Sequence, residues 1–132
     1  MRKVKLILVA VVAGVLVAGS YAEAKAGDAG ADAFRKCMAC HQVGPSARNG
    51  VGPVLNGSFG RHAGTHPGYN YSAAMRNSGL VWDDQTLTRY LRAPREVVPG
   101  TRMAFAGLND DQELADVIAY LKLFEEDGHS VN

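Results

Sequence analysis

Cysteine is nearly absent from this chain. Its 132 residues contain two, Cys37 and Cys40, so a fold stapled by several disulfides is excluded. A bridge between these two would close a very short loop and constrain the unfolded chain little. An excess of charge of one sign is missing too: 14 Lys and Arg stand against 13 Asp and Glu. That balance removes the strongly basic face that nucleic-acid binding needs. No segment alternates apolar and polar residues convincingly enough for a strand, which leaves an all-α class. There is no internal repeat and no low-complexity run. Long apolar runs are limited to one, Leu6 to Gly19, "LILVAVVAGVLVAG".

That run is shorter than the ~20 residues a membrane span usually needs. Arg2, Lys3 and Lys5 precede it, and small-x-small triplets follow it at Ala22-Glu23-Ala24 and Ala24-Lys25-Ala26. This order is the grammar of a secretory signal peptide. Residues 1–24 are expected to be removed, with retention as an uncleaved anchor as the alternative, leaving one domain over 25–132 outside the cytoplasm. Loss of Arg2, Lys3, Lys5 and Glu23 takes the formal charge from +1 to −1. So short a domain has a modest apolar core unless something else supplements it.

Residues 28–41 read as a helix, with Asp28 as N-cap and Ala33, Phe34, Cys37, Met38 and His41 at three- and four-residue spacings. Residues 44–70 are studded with glycine and proline and read as a loop. A loop of that length in a small domain is functional or wraps something. A short helix is expected over 72–77, capped by Ser72 and stopped near Gly79. Another runs from Asp84 to Arg92 behind an Asp83 cap and ends at Pro94. Pro99-Gly100 predicts a type II turn. Asn109 with Gln112 predicts a capping box for the last helix. That helix carries Leu114, Val117, Ile118, Leu121 and Phe124 on one stripe. The polar tail holding His129 is expected to fray.

The stretch "KCMACHQV" (36–43) carries the chemistry. Cys-x-x-Cys-His is the attachment sequence of haem c. On a helical turn, thiols three residues apart can reach two vinyl groups on one side of a porphyrin and form thioethers. The following His41 then offers an imidazole to the iron. A zinc site would want four ligands, and His62 and His66 are the only nearby candidates. A redox dithiol should sit beside a βαβ pattern, which this sequence lacks. Four methionines could supply a further ligand. Met1 leaves with the leader, Met38 lies inside the motif, Met75 lies in a predicted helix, and Met103 follows the Pro-Gly turn.

Around this motif, "GVGPVLNGSFGR", "PGYNYSAAMRNSGLVW", "TLTRYLRAPREVVPGTRMAFAGL" and "DVIAYLKLF" occur in order. Over about residues 27–124 the chain resembles a class I cytochrome c of the mitochondrial type, in the pattern of the secreted bacterial members. The resemblance implies a cytochrome c fold, with four to five helices and loops wrapped around one haem. It implies that Cys37 and Cys40 hold the haem and that His41 and Met103 are its axial ligands. Pro53 would offer its carbonyl to the His41 ring, and Gly52 would allow the backbone close to the haem. Arg61, Tyr71 and Trp82 would answer a buried propionate. Tyr90 and Thr101 would hydrogen-bond around the methionine and propionate side. Gly30, Phe34 and Tyr120 would mark the crossing of the first and last helices.

Two departures stand out. Met75 occupies a position where many relatives carry asparagine. The lysine-rich docking rim is thinned to Arg35, Lys36, Arg95 and Arg102, with Glu96, Asn109 and Asp110 where relatives have lysines. The resemblance implies a monomeric, periplasmic one-electron carrier and no enzyme. Its partners would be a quinol–cytochrome c oxidoreductase as donor, and a terminal cytochrome c oxidase or photosynthetic reaction centre as acceptor. A peroxidase-like or ligand-binding haem protein is the rival, and it needs an open sixth position on the iron.

Overall fold

The computed structural model describes residues 27–131. The expected leader, residues 1–24, and its cleavage site lie outside the described residues. Among these, the elements are helical: α1 over residues 27–34, α2 Ala73–Arg76, α3 Asp84–Arg92, α4 Pro94–Val97 and α5 Asp111–Leu121. No strand forms among them, only isolated bridges at His62–Val81 and Phe124–Ser130.

The buried stripe of α5, Leu114, Val117, Ile118 and Leu121, packs on Leu87, Tyr90 and Leu91 of α3 and on Ala33 and Phe34 of α1. Gly30 makes the crossing of α1 and α5 possible. A Cβ there would lie 2.6 Å from Tyr120 Cβ and 2.7 Å from the Asp116 carbonyl oxygen. The rings of Phe34 and Tyr120 meet at 5.4 Å beside it, as the resemblance implied. The caps of the middle helices follow their sequence signals: Ser72 accepts from the Met75 amide and Asp83 from the Thr86 amide. The turn expected at Pro99-Gly100 closes with Thr101 N–H donating to the Val98 carbonyl at 3.0 Å, with Gly100 at φ +90°.

Several expectations about elements need correction. The first helix is regular only to residue 34. The chain then winds through turns, with Cys37 N–H donating to Phe34 O and Cys40 N–H to Cys37 O. Such i→i+3 bonds tighten a helix end and present closely spaced side chains differently from an α-turn. Asp28 lies within α1 and is not its cap. The cap of α5 is Asp110, whose carboxylate accepts from Glu113 N–H at 2.7 Å, so the start moves one residue from Asn109. A carboxylate there also meets the positive end of the helix. Pro94 does more than end α3. It opens α4 at the first helical position, where its missing N–H is no loss.

Within the described residues, to Val131, the tail is hydrogen-bonded and not frayed. Val131 N–H donates to Leu123 O, Glu125 N–H to His129 O, and Gly128 is buried against Gly44. Phe124 leaves the α5 stripe to take part in this turn.

Candidate functional site

The turns after α1 bring Cys37, half-buried, and Cys40, exposed, to one side of a cleft of about 320 Å³. Burial pushes the Cys37 thiol above its ordinary range, with the negative charge of Glu113 acting the same way. A redox-active dithiol needs the opposite, a lowered pKa. Among the described residues no three His, Cys, Asp or Glu side chains converge as a metal site, so the cysteines find no partners for four-ligand zinc.

His41 follows the motif directly, and its amide donates to the Cys37 carbonyl at 2.9 Å. Its ring Nδ1–H donates to the Pro53 carbonyl at 2.7 Å, which leaves Nε2 as the free nitrogen. Burial lowers the imidazole pKa, although the Pro53 bond opposes this, so the ring is neutral and can act as a ligand. Gly52 lines the cleft and also has a local role. A Cβ there would fall 2.4 Å from His41 Cε1, so the glycine makes room for the imidazole itself. Its amide is anchored to the Cys40 carbonyl at 2.8 Å, which ties this segment to the cysteine motif.

Met103 reaches the same cleft from the loop after the Pro-Gly turn. Tyr90 on α3 donates its hydroxyl to the Met103 sulfur at 3.3 Å and lies 3.2 Å from Thr101 Oγ1. Burial raises the Tyr90 pKa, with the Thr101 contact opposing it, so the phenol stays protonated and remains a donor. Met75 also lines the cleft, buried in the core through α2, whereas Met38 is exposed. Of the two lining methionines, Met103 is the one whose sulfur is held by a hydroxyl.

Arg61, Tyr71 and Trp82 line the cleft as well. Trp82 packs 4.9 Å from the Tyr90 ring, and its amide donates to the Arg61 carbonyl at 3.0 Å. Tyr71 Oη accepts from His66 N–H, and burial raises its pKa. The Arg61 guanidinium donates to His66 Nδ1 at 2.8 Å and meets Glu126 of the tail at 3.3 Å. His66 is therefore tied into this wall. Its pKa is lowered by burial and then by the Arg61 charge, which keeps Nδ1 an acceptor.

All eleven residues that the resemblance places around the haem, Gly52 included, line this one cleft. A second cavity, about 450 Å³ between Pro94 and Phe105, contains none of them. Two site features escaped sequence reading. Asn56 is buried and grips both sides of Gly44, accepting from its N–H at 2.8 Å and donating to its C=O at 2.9 Å. Ser58 Oγ is the one buried side-chain polar atom among the described residues without a partner, and Ser58 lines the cleft. Neither an asparagine nor a serine in a Gly-rich loop has a local signal for such a role.

The cleft fits a haem. Two thiols, a neutral imidazole with a free Nε2 and a held thioether share an apolar lining, and an orphaned hydroxyl awaits a polar partner.

Comparison with known proteins agrees with this chemistry. Residues 27–124 match the family model described as cytochrome c. Cytochrome c2 of Rhodomicrobium vannielii is 54% identical over 119 residues, 89% of this chain and 94% of that protein. Cytochrome c2 of Blastochloris viridis is 50% identical over 115 residues, 86% and 91% of the two chains. The solved structure of cytochrome c2 from Rhodospirillum centenum superposes with a TM-score of 0.71 at 41% identity, covering 75% of this chain and 98% of that one. The chain belongs to the cytochrome c family, electron carriers with one covalently bound haem c.

Proposed function

We propose that this protein is a soluble, monomeric periplasmic carrier whose haem is bound through Cys37 and Cys40, with His41 and Met103 as axial ligands. The observation that carries the assignment is that these four side chains, from segments far apart in sequence, line one cleft. When bound, the haem iron supplies one-electron exchange and no bond-making. His41 offers Nε2, held in orientation by Pro53 and by the space at Gly52. Met103 offers a soft sulfur that favours the reduced state, and Tyr90 fixes its position. Arg61, Tyr71, Trp82 and Ser58 form the polar part of the wall and would answer the propionates. Tyr90, Leu87, Leu91, Val117 and Leu121 exclude water from the rest. With His41 and Met103 both holding the iron, no position would be left open for a substrate, so the protein would act as a carrier and not as an enzyme.

The donor in this reading is a membrane quinol–cytochrome c oxidoreductase. The acceptor is a terminal oxidase or a photosynthetic reaction centre. The expected leader supports a periplasmic place, and no helix among the described residues is long and apolar enough to cross a membrane. Encounter is steered by little net charge. Arg35 pairs with Asp32 and Lys36 with Glu113, both at 2.5 Å, so rates with partners should fall only modestly with salt.

The test is the absorption spectrum of the oxidised protein and of Met103→Ala. The native protein should show a weak far-red sulfur-to-iron band, with no prompt shift on adding cyanide or carbon monoxide. The variant should lose the band and bind both ligands. A native band that survives in Met103→Ala would remove Met103 as ligand and direct attention to Met75.

A further inference from the structure

The family match ends at residue 124, yet the chain continues as an ordered turn. Gly57 N–H donates to the Phe124 carbonyl at 2.9 Å. The chain then reverses, with Gly128 N–H on the Glu125 carbonyl and Val131 N–H on the Leu123 carbonyl. Gly128, at φ +83°, is buried with its backbone directly on Gly44. A Cβ there would lie 2.2 Å from the Gly44 oxygen and 2.6 Å from Pro45 N. Gly57 is pressed as closely against Glu126, where a Cβ would lie 2.9 Å from Glu126 Cα.

The surfaces this turn covers belong to the site. Gly44 lies three residues after His41 and is clamped by Asn56, which lies three residues after Pro53. The Leu55 amide donates to the Gln42 carbonyl at 3.1 Å, closing the same loop between the histidine and its orienting carbonyl. At its other side, the turn sets the Glu126 carboxylate on Arg61, whose side chain is only 16% exposed and lines the cleft.

We infer that residues 125–131 form a strap that positions the haem site at two points: Gly128 braces the loop joining His41 to Pro53, and Glu126 holds Arg61. The inference rests on the assignment of His41 and Arg61 to the haem site. Gly128 and Glu126 are positioning residues that act through Gly44 and Arg61. A brace on this loop limits how far the Pro53 carbonyl can swing from the imidazole. The Glu126 charge near the cleft favours the oxidised, more positive state of the site.

The experiment uses the haem-loaded full-length protein, a variant ending at Phe124, Gly128→Ala and Glu126→Gln. It reads amide hydrogen exchange at Gly44, with Leu114 and Val117 in α5 as reference, together with the reduction potential. Truncation and Gly128→Ala should speed exchange at Gly44 by roughly tenfold while the α5 amides change much less, which marks local opening. Glu126→Gln should leave Gly44 exchange unchanged and raise the potential, by an amount that shrinks with added salt.

If Gly44 accelerates only in step with the α5 amides, the tail adds general stability and the brace is overturned. An unchanged potential in Glu126→Gln overturns the Arg61 half. Failure of the underlying site assignment would show separately, as a native spectrum without the sulfur-to-iron band, while the exchange results still report on the brace.

Discussion

The His41 imidazole is gripped from two directions by adjacent residues: Nδ1 donates to the Pro53 carbonyl at 2.7 Å, and Gly52 closes over Cε1 with no room for a methyl group. A ring so confined is preorganised. Its free nitrogen is presented in one tautomer and orientation before any metal arrives.

Gly52→Ala tests that confinement. The new Cβ would fall 2.4 Å from Cε1 and 2.7 Å from Nδ1, so the ring or the backbone must shift. Overpacking of this kind costs about 1–3 kcal/mol. Denaturant unfolding of the haem-loaded protein should show a midpoint lowered accordingly, and an unchanged midpoint would mean that the loop yields freely.

Tyr90→Phe tests the hold on Met103. The hydroxyl draws electron density from the sulfur it donates to and makes it a weaker ligand for the oxidised iron. Its removal should lower the reduction potential. The shift should not exceed roughly 60 mV, the full worth of one hydrogen bond of about 1.5 kcal/mol for a one-electron couple. A rise in potential would contradict this role.

Asp83→Asn tests the cap of α3 through pH. The Asp83 carboxyl sits below its ordinary value of 3.8, chiefly because it accepts from the Thr86 amide. A depressed folded-state pKa gives stability that is fully present above the unfolded value and lost as pH falls through the folded one. Native stability should therefore decline below about pH 4 partly through this group. Asparagine still caps but does not titrate, so the variant's stability measured by thermal unfolding should be flatter over that range. Parallel curves for the two proteins would assign the acid sensitivity elsewhere.

What could be read locally was read well where the physics is local. The stripe Leu114, Val117, Ile118 and Leu121 needs only helical periodicity, and it packs as expected on α3 and α1. Ser72 and Asp83 cap helices within three residues of themselves, and Gly100 takes the positive φ its turn requires. The motif Cys37-x-x-Cys40-His41 states its chemistry within five residues. Some differences are local: α1 tightens into turns at residue 35, and Asp110 displaces Asn109 as cap, where neighbouring residues compete; the docking of the tail is a long-range one.

The sequence alone therefore determined the placement of α1, α2, α3 and α5, the attachment motif and the family pattern, because each depends on residues a few positions apart. Only the tertiary structure decided that Gly52 makes room for an imidazole, that His66 and Glu126 share Arg61, and that the tail folds onto Gly44. Those facts depend on close approach between segments separated by up to 84 residues, as from Gly44 to Gly128. A glycine or a charge in a loop takes its meaning from what lies against it, and no periodicity or spacing encodes that neighbour.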